Sequence, residues 1–339
     1  MRLGTRAVAM AACAATALAV SAPARATEGN AVSHRTGSPL SVPADRLAAS
    51  LTCSPGVTHA RRAPVLLLAS TALNTGENYA WNWQRTLTRE GIPWCASDPA
   101  GSEWANHNME DIQVRAEYVV YAIRTMNRLS GHRVSVMGHS QGGMVARWAL
   151  RFWPDTRQRV DDVIGLAPTN HGTALGTALC ADYCAPAGWQ QRVGSRFYAA
   201  LNSGQETFPG ISYTVIRSDA DPLVPPETAD LTGPGRIANV RLQDRCPGDT
   251  SDHLTVGTID PVAEAVALDA LRHPGPARWQ RVDPAVCERT LMTGIDPRTF
   301  PDDVARMGGV FNHYFDTAPK VTAEPPLAWY ASSAAGSGS

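Results

Sequence analysis

The chain has 339 residues and a formal net charge of −1, long enough to bury a full hydrophobic core in one domain without covalent staples. A near-neutral surface excludes the electrostatic footprint of a nucleic-acid binder. The apolar share, 44%, is that of an ordinary globular protein and excludes neither an enzyme nor a binding module.

The N-terminus reads as a secretory signal over residues 1–26. Arg2 and Arg6 give a basic start, residues 7–20 form a small-apolar run, and Ala24-Arg25-Ala26 supplies the small-x-small cleavage pattern. The run is shorter than the ~20 residues that span a bilayer, and no later stretch is long and apolar enough. The chain is therefore expected to be secreted and to lack a transmembrane segment. Residues 27–45 are polar and rich in Ser, Pro and Gly, which predicts a disordered segment. A single domain is expected over 46–330, followed by a loose tail over 331–339 of Ala, Gly and Ser alone.

Between those ends, short apolar runs alternate with helical patterns. This predicts an α/β fold, a mostly parallel central sheet with helices on both faces. Val65-Leu66-Leu67-Leu68 is a buried strand after Pro64. Over 111–130, Ile112, Ala116, Val119, Val120, Ile123 and Met126 recur at spacings of three and four, which predicts a helix ended by Gly131. A strand over 133–137 follows, and from Gly142 a second helical pattern runs through Trp148 to Phe152, before Pro154. Residues 163–166, 213–216 and 238–242 read as further strands. Asp260-Pro261 reads as an N-cap with proline at the first helical position, opening a helix to about Leu271.

Cysteine usage agrees with export. Cys13 falls in the signal, which leaves Cys53, Cys95, Cys180, Cys184, Cys246 and Cys287. An even number in an exported chain implies disulfides, and chain order suggests 53–95, 180–184 and 246–287 as the simplest of many pairings. A lone C-x-x-x-C is weak evidence for zinc, so no metal is expected.

Gly138-His139-Ser140-Gln141-Gly142 is a G-x-S-x-G pentapeptide between a predicted strand and a predicted helix, the setting a nucleophile elbow requires. The chain must reverse sharply there, so small residues flank the serine, and the helix N-terminus offers free N–H groups to a developing oxyanion. Such a serine needs a base and the base an orienting acid, in the order Ser, acid, His. Of the downstream histidines, His253 lies in a loop after a strand. His171 follows too soon after the nucleophile helix, and His273 follows a helix. Asp221 and Asp219 both follow the 213–216 strand, and Asp221 is preferred because Pro222 and Pro225 stiffen its turn. Asp252, adjacent to the base, is badly placed to orient its ring. Oxyanion donors are expected from the backbone of Gln141 and from the loop 69–76, with Thr71 the choice there.

These residues resemble the class-2 lipase family, lipase B and its bacterial relatives, from about Leu51 to about Asp302. Thr71 falls on the family's oxyanion threonine, Ser140-Gln141-Gly142 on its nucleophile and oxyanion glutamine, and Asp221 and His253 on its acid and base. Cys53 with Cys95, and Cys246 with Cys287, fall on two family disulfides, whereas Cys180 and Cys184 have no counterpart. Leu223 falls on a pocket-lining position. His139 stands where the family has a tryptophan beside the nucleophile, which implies a substrate-binding position on the alcohol side of the pocket altered by the exchange, and Ser70 and Ala72 stand where it has glycines. Thr169-Asn170-His171-Gly172 also differs. The resemblance implies an α/β-hydrolase fold and hydrolysis of acylglycerols and other esters by a monomer at a lipid–water interface, without a cofactor. The segment 172–194 would border the acyl channel, with Trp189 among its apolar residues. The same triad would also serve an acyltransferase or a polyester depolymerase, and a non-catalytic lipid-binding protein on this scaffold is the remaining alternative.

Overall fold

The computed structural model describes residues 37–335. The signal over 1–26 and the far end of the tail lie outside the described residues. Seven strands form one sheet in the order β1-β3-β2-β4-β5-β6-β7. They are β1 (Leu51–Cys53), β2 (Val65–Leu68), β3 (Trp94–Ser97), β4 (Val134–His139), β5 (Val160–Leu166), β6 (Ser212–Arg217) and β7 (Arg236–Arg241). All neighbours run parallel except β1, which lies antiparallel on β3 with Cys53 opposite Cys95. This is the α/β-hydrolase fold, as the alternation of apolar runs and helical patterns predicts.

The sheet is covered on both faces, and the strand period of two sorts its side chains between them. Leu66 and Leu68 of β2 pack with Val120, Val136 and Trp148 on one face. Val65 and Leu67 pack with Met137, Leu166 and Val266 on the other. The helix Ile112–Ser130 begins at Asp111, whose carboxylate accepts from Gln113 N, and ends at Gly131 in the left-handed region. The helix Pro261–Arg272 begins at Asp260, which accepts from Val262 N and Ala263 N. Gly131 and Asp260 are the caps the sequence predicts, whereas Asp111, read as the first helical residue, is the N-cap. The disulfides are Cys53–Cys95, Cys180–Cys184 and Cys246–Cys287, and three such bonds suit an extracellular, oxidising setting. Among the described residues no helix is long and apolar enough to cross a membrane.

Two boundaries differ from expectation. Residues 38–45 are not loose. Ser41 and Val42 donate their backbone N–H groups to the Glu117 carboxylate, Trp153 Nε1 donates to Ser38 O at 2.7 Å, and Val42 is buried beside Leu47 and Tyr118. A polar composition concealed two apolar side chains that pack, Leu40 and Val42, and the carboxylate that meets the segment's backbone donors is that of Glu117. The tail is likewise helical at its start, over Trp329–Ala335, with Ala331 buried in the main core.

One buried carboxylate crosses the sheet at the end away from Ser140. Asp162 lies in register between Ser135 of β4 and Ser212 of β6. Burial pushes its carboxyl up to about 7, the neighbouring Asp161 adds to the rise, and the hydrogen bond from Ser135 Oγ at 2.9 Å opposes it. The folded form therefore holds a proton that the unfolded chain, with a carboxyl near 4, releases. The contribution of Asp162 to stability falls as pH rises from about 4 to about 7 and is level above that. Asp162→Asn keeps the acceptor for Ser135 and removes the ionisation. Urea unfolding should show the variant more stable than the parent at pH 8, by a few kcal/mol at most at about 1.4 kcal/mol per pKa unit, with the gap closing toward pH 4.

Candidate active site

Ser140 stands between the end of β4 and the helix Gln141–Phe152, with φ 55° and ψ −120°. An L residue held in that region is strained, by about 1–2 kcal/mol. The turn is also tight. A Cβ on Gly138 would lie 2.2 Å from the carbonyl carbon of Gly142, and a Cβ on Gly142 would lie 2.1 Å from Leu68 O. Glycine two residues to either side of the serine is therefore a steric requirement, and the second one lets the helix start against the end of β2.

Asp221 follows β6 in a turn that its own carboxylate closes, Oδ1 accepting from Leu223 N at 2.8 Å and Val224 N at 3.0 Å. Its other oxygen lies 2.7 Å from His253 Nδ1, and His253 Nε2 lies 2.9 Å from Ser140 Oγ. All three residues are buried. A carboxylate can only accept, so Nδ1 carries the proton and Nε2 presents its lone pair to the serine hydroxyl. Asp219 is exposed and paired to Arg241. Asp252 is the N-cap of the helix His253–Thr258, accepting from Thr255 N at 2.9 Å. The structure thus brings together Ser140, His253 and Asp221, and places both alternative carboxylates elsewhere.

Gln141 is the first residue of its helix, so its N–H has no intrahelical acceptor. The Thr71 hydroxyl oxygen accepts from the side-chain amides of Gln141 at 3.1 Å and Gln191 at 3.0 Å. Those two bonds occupy its lone pairs and leave its own proton to be donated. The Gln141 amide is fixed in turn by Asn108 O at 3.0 Å and by the Arg115 guanidinium, which also donates to Ala69 O at 2.6 Å. Burial lowers Arg115 to about 9, with Asp98 opposing the fall, so it remains a cation at neutral pH. Asn108 Nδ2 donates to Ser70 O and Leu73 O. Ala72 takes φ 62°, so the loop keeps a left-handed residue without a glycine.

Ser140, Thr71 and His253 open onto a cavity of about 300 Å³ walled by Leu175, Leu223, Leu254, Phe311 and Phe315, with Tyr183, Asp316 and Lys320 at exposed positions of its lining. The segment 172–194 contributes part of this wall, the Cys180–Cys184 disulfide included. Leu223 lies where the sequence places it. His139 and Trp189 do not line the cavity, which corrects their expected placement. Trp189 is turned inward, its Nε1 donating to Val321 O at 2.9 Å. His139 is fully buried behind His253, with Nε2 at 2.9 Å from the His253 carbonyl oxygen. Burial pushes the His139 imidazole down to about 3, and the neighbouring His253 adds to the fall. Sequence reasoning missed Gln191, Phe311 and Phe315. The two phenylalanines sit four apart on the helix Phe300–Thr317 and were detectable as an apolar helical spacing. Nothing local marks Gln191.

With fold and geometry in view, the class is an α/β-hydrolase scaffold carrying a Ser–His–Asp constellation. Residues 84–177 match the family described as PGAP1-like alpha/beta domain. The chain is 32% identical to lipase B of Pseudozyma antarctica over 193 residues, 56% of this chain and 55% of that protein, so it spans just over half the length of that relative. It is similar in structure to lipase B of Aspergillus fumigatus, with TM-score 0.77 and 29% identity over 91% of this chain and 77% of the other. The resemblance to lipase B read from the sequence is therefore found in both sequence and structure.

The steric argument for the elbow has a direct test. Gly142→Ala should lose on the order of 3 kcal/mol of stability, because backbone and not a flexible side chain meets the new methyl. Gly308→Ala, in a helix with open space around it, should gain about 0.5–1 kcal/mol. Urea midpoints of the two variants check both signs.

Proposed function

We infer that this chain is a secreted carboxylic ester hydrolase, a lipase or carboxylesterase, working by acyl transfer from Ser140. The observation that carries this is the hydrogen-bonded series from Asp221 through His253 to Ser140, at 2.7 and 2.9 Å, opening onto an apolar-walled cavity. Ser140 Oγ attacks the ester carbonyl carbon while His253 Nε2 takes its proton. The tetrahedral oxyanion is held by the N–H groups of Gln141 and Thr71 and by the Thr71 hydroxyl. His253 returns the proton to the leaving alcohol, the C–O bond breaks, and Ser140 holds the acyl group. Water activated by His253 then releases the acid and regenerates the serine. Asp221 keeps the ring in the productive tautomer and stabilises it when charged.

Leu223, Leu254, Phe311 and Phe315 favour an acyl chain over a polar group on the substrate, and the resemblance to lipase B proteins supports acylglycerols and related esters met at a lipid–water interface. Residues 1–26 serve as the export signal in this reading, and the disulfides agree with export. The catalytic domain in this reading takes in residues 38–45, which Glu117 and Trp153 hold against it.

Ser140→Ala should abolish hydrolysis of a p-nitrophenyl ester with no change in circular dichroism or melting temperature, and His253→Ala should do the same. Retained turnover in purified Ser140→Ala would end the proposal. Asp221→Asn should cost at least about a hundredfold in kcat, through the wrong tautomer. Asp219→Asn should stay near the parent rate, since its carboxylate faces Arg241 and solvent.

A further inference from the structure

The residue before the nucleophile is a buried histidine whose two ring nitrogens both have partners, and neither partner is substrate. His139 Nε2 lies 2.9 Å from the carbonyl oxygen of His253, which can only accept, so Nε2 carries the proton. Nδ1 is then an acceptor, and Asn78 Nδ2 faces it at 3.4 Å. The remaining atom of that amide, Oδ1, accepts from Ser70 N at 2.8 Å. Asn78 Oδ1 lies at the same 3.4 Å from Nδ1, and because Nε2 carries the ring's proton it is the amide nitrogen that donates to Nδ1. The relay runs from Ser70, the residue before Thr71, through Asn78 and His139 to the backbone of His253. It therefore ties the oxyanion loop to the base.

The ring is fully buried and packs directly on Gly257. A Cβ on Gly257 would lie 2.3 Å from the His139 ring, and Gly257 O in turn accepts from Trp83 Nε1 at 2.9 Å. The residue it holds needs holding. His253 opens a helix of only six residues, too short to be stable by itself. The Asp221 carboxylate grips its ring, while His139 grips its backbone. The two imidazoles are 5.3 Å apart between ring centres. A neutral ring at that distance leaves His253 free to become an imidazolium, whereas a second cation would oppose it.

On the reading of Ser140 and His253 given above, we propose that His139 is a positioning residue for ester hydrolysis, holding the base and the oxyanion loop in one register through Asn78. It touches no substrate, so its loss acts on kcat and not on KM. It acts through geometry, and misplacement of a base by about 1 Å can cost about a hundredfold.

The test compares His139→Phe, which keeps a ring without either hydrogen bond, with His139→Gln, whose amide nitrogen reaches the position of Nε2. Rates on p-nitrophenyl butyrate are expressed per active site titrated with a fluorophosphonate, so a poorly folded fraction does not count. His139→Phe should lose about tenfold to a hundredfold in kcat with KM within about twofold of the parent. His139→Gln should recover most of that loss. The double variant Asn78→Leu/His139→Phe should be no slower than its slower single, because both cut the same relay. Parental kcat per titrated site in His139→Phe, or a Gln variant as slow as the Phe variant, would overturn the proposal and leave the ring as mere filling. If His139→Phe does not fold, Asn78→Leu alone decides: lowered kcat at constant KM supports the relay, and a parental rate removes it. Ser140→Ala in the same assay separates the two claims. Turnover surviving there removes the proposed function, whereas an inactive Ser140→Ala beside a full-rate His139→Phe removes only the role of His139.

Discussion

The structure depends on how closely the helix behind Ser140 approaches the end of β2. Gly142 rests against the Leu68 carbonyl with no space for a methyl group, and that contact sets two things together. It forces the backbone of Ser140 into the left-handed region, which exposes the hydroxyl above the sheet edge. It also brings the N–H of Gln141 beside the loop carrying Thr71. The proposed nucleophile and the Gln141 N–H proposed to hold the oxyanion thus share one steric cause. The strain at Ser140 is tolerated because the helix that follows is almost wholly buried, with Met144, Val145, Trp148 and Ala149 in the main core. Burial of that kind outweighs a local cost of about 1–2 kcal/mol.

Around this contact the site is braced by buried polar groups and not by apolar packing. Arg115 holds the side chain of Gln141 and the carbonyl of Ala69, Gln191 holds Thr71, and Asn108 and Asn78 hold Ser70 from two sides. Such networks are costly when half satisfied, because each orphaned atom keeps its desolvation penalty. When satisfied they allow few alternative geometries. A site whose donors must meet a developing charge benefits from that rigidity, since donors already in place need no reorganisation. The pocket walls, by contrast, come from short helices and from the helix Phe300–Thr317, elements outside the strand-turn-helix unit that sets the chemistry.

That division explains what was legible in the sequence. Ser140 could be read because its glycines are a local steric rule. Asp221 and His253 could be read because chain order and strand ends restrict where an acid and a base can stand. Gly131 and Asp260 could be read because caps act within a few residues of where they sit. Gln191 could not, because its role exists only once a segment fifty residues past the nucleophile folds back onto Thr71. Residues 38–45 were misjudged for a similar reason. Their composition is that of a loop, and the carboxylate that orders them belongs to Glu117, far along the chain.

His139 shows why identity at a position does not give its role. A large ring beside the nucleophile invites placement on the pocket wall, as for the tryptophan expected from the lipase resemblance. A histidine there carries two nitrogens that must be satisfied if buried. Here a backbone carbonyl and an amide satisfy both, and Gly257 makes room for the ring behind the base. Once it lies there, it cannot also shape the cavity. The wall must then be completed from elsewhere, and Phe311 and Phe315 of the helix Phe300–Thr317 lie on it. Leu223 and Leu254 adjoin Asp221 and His253 in the chain, whereas Phe311 and Phe315 come from a helix remote in sequence from the residues proposed to move the proton. Selectivity in such an arrangement can change through the helix Phe300–Thr317 while the geometry at Ser140 stays as it is.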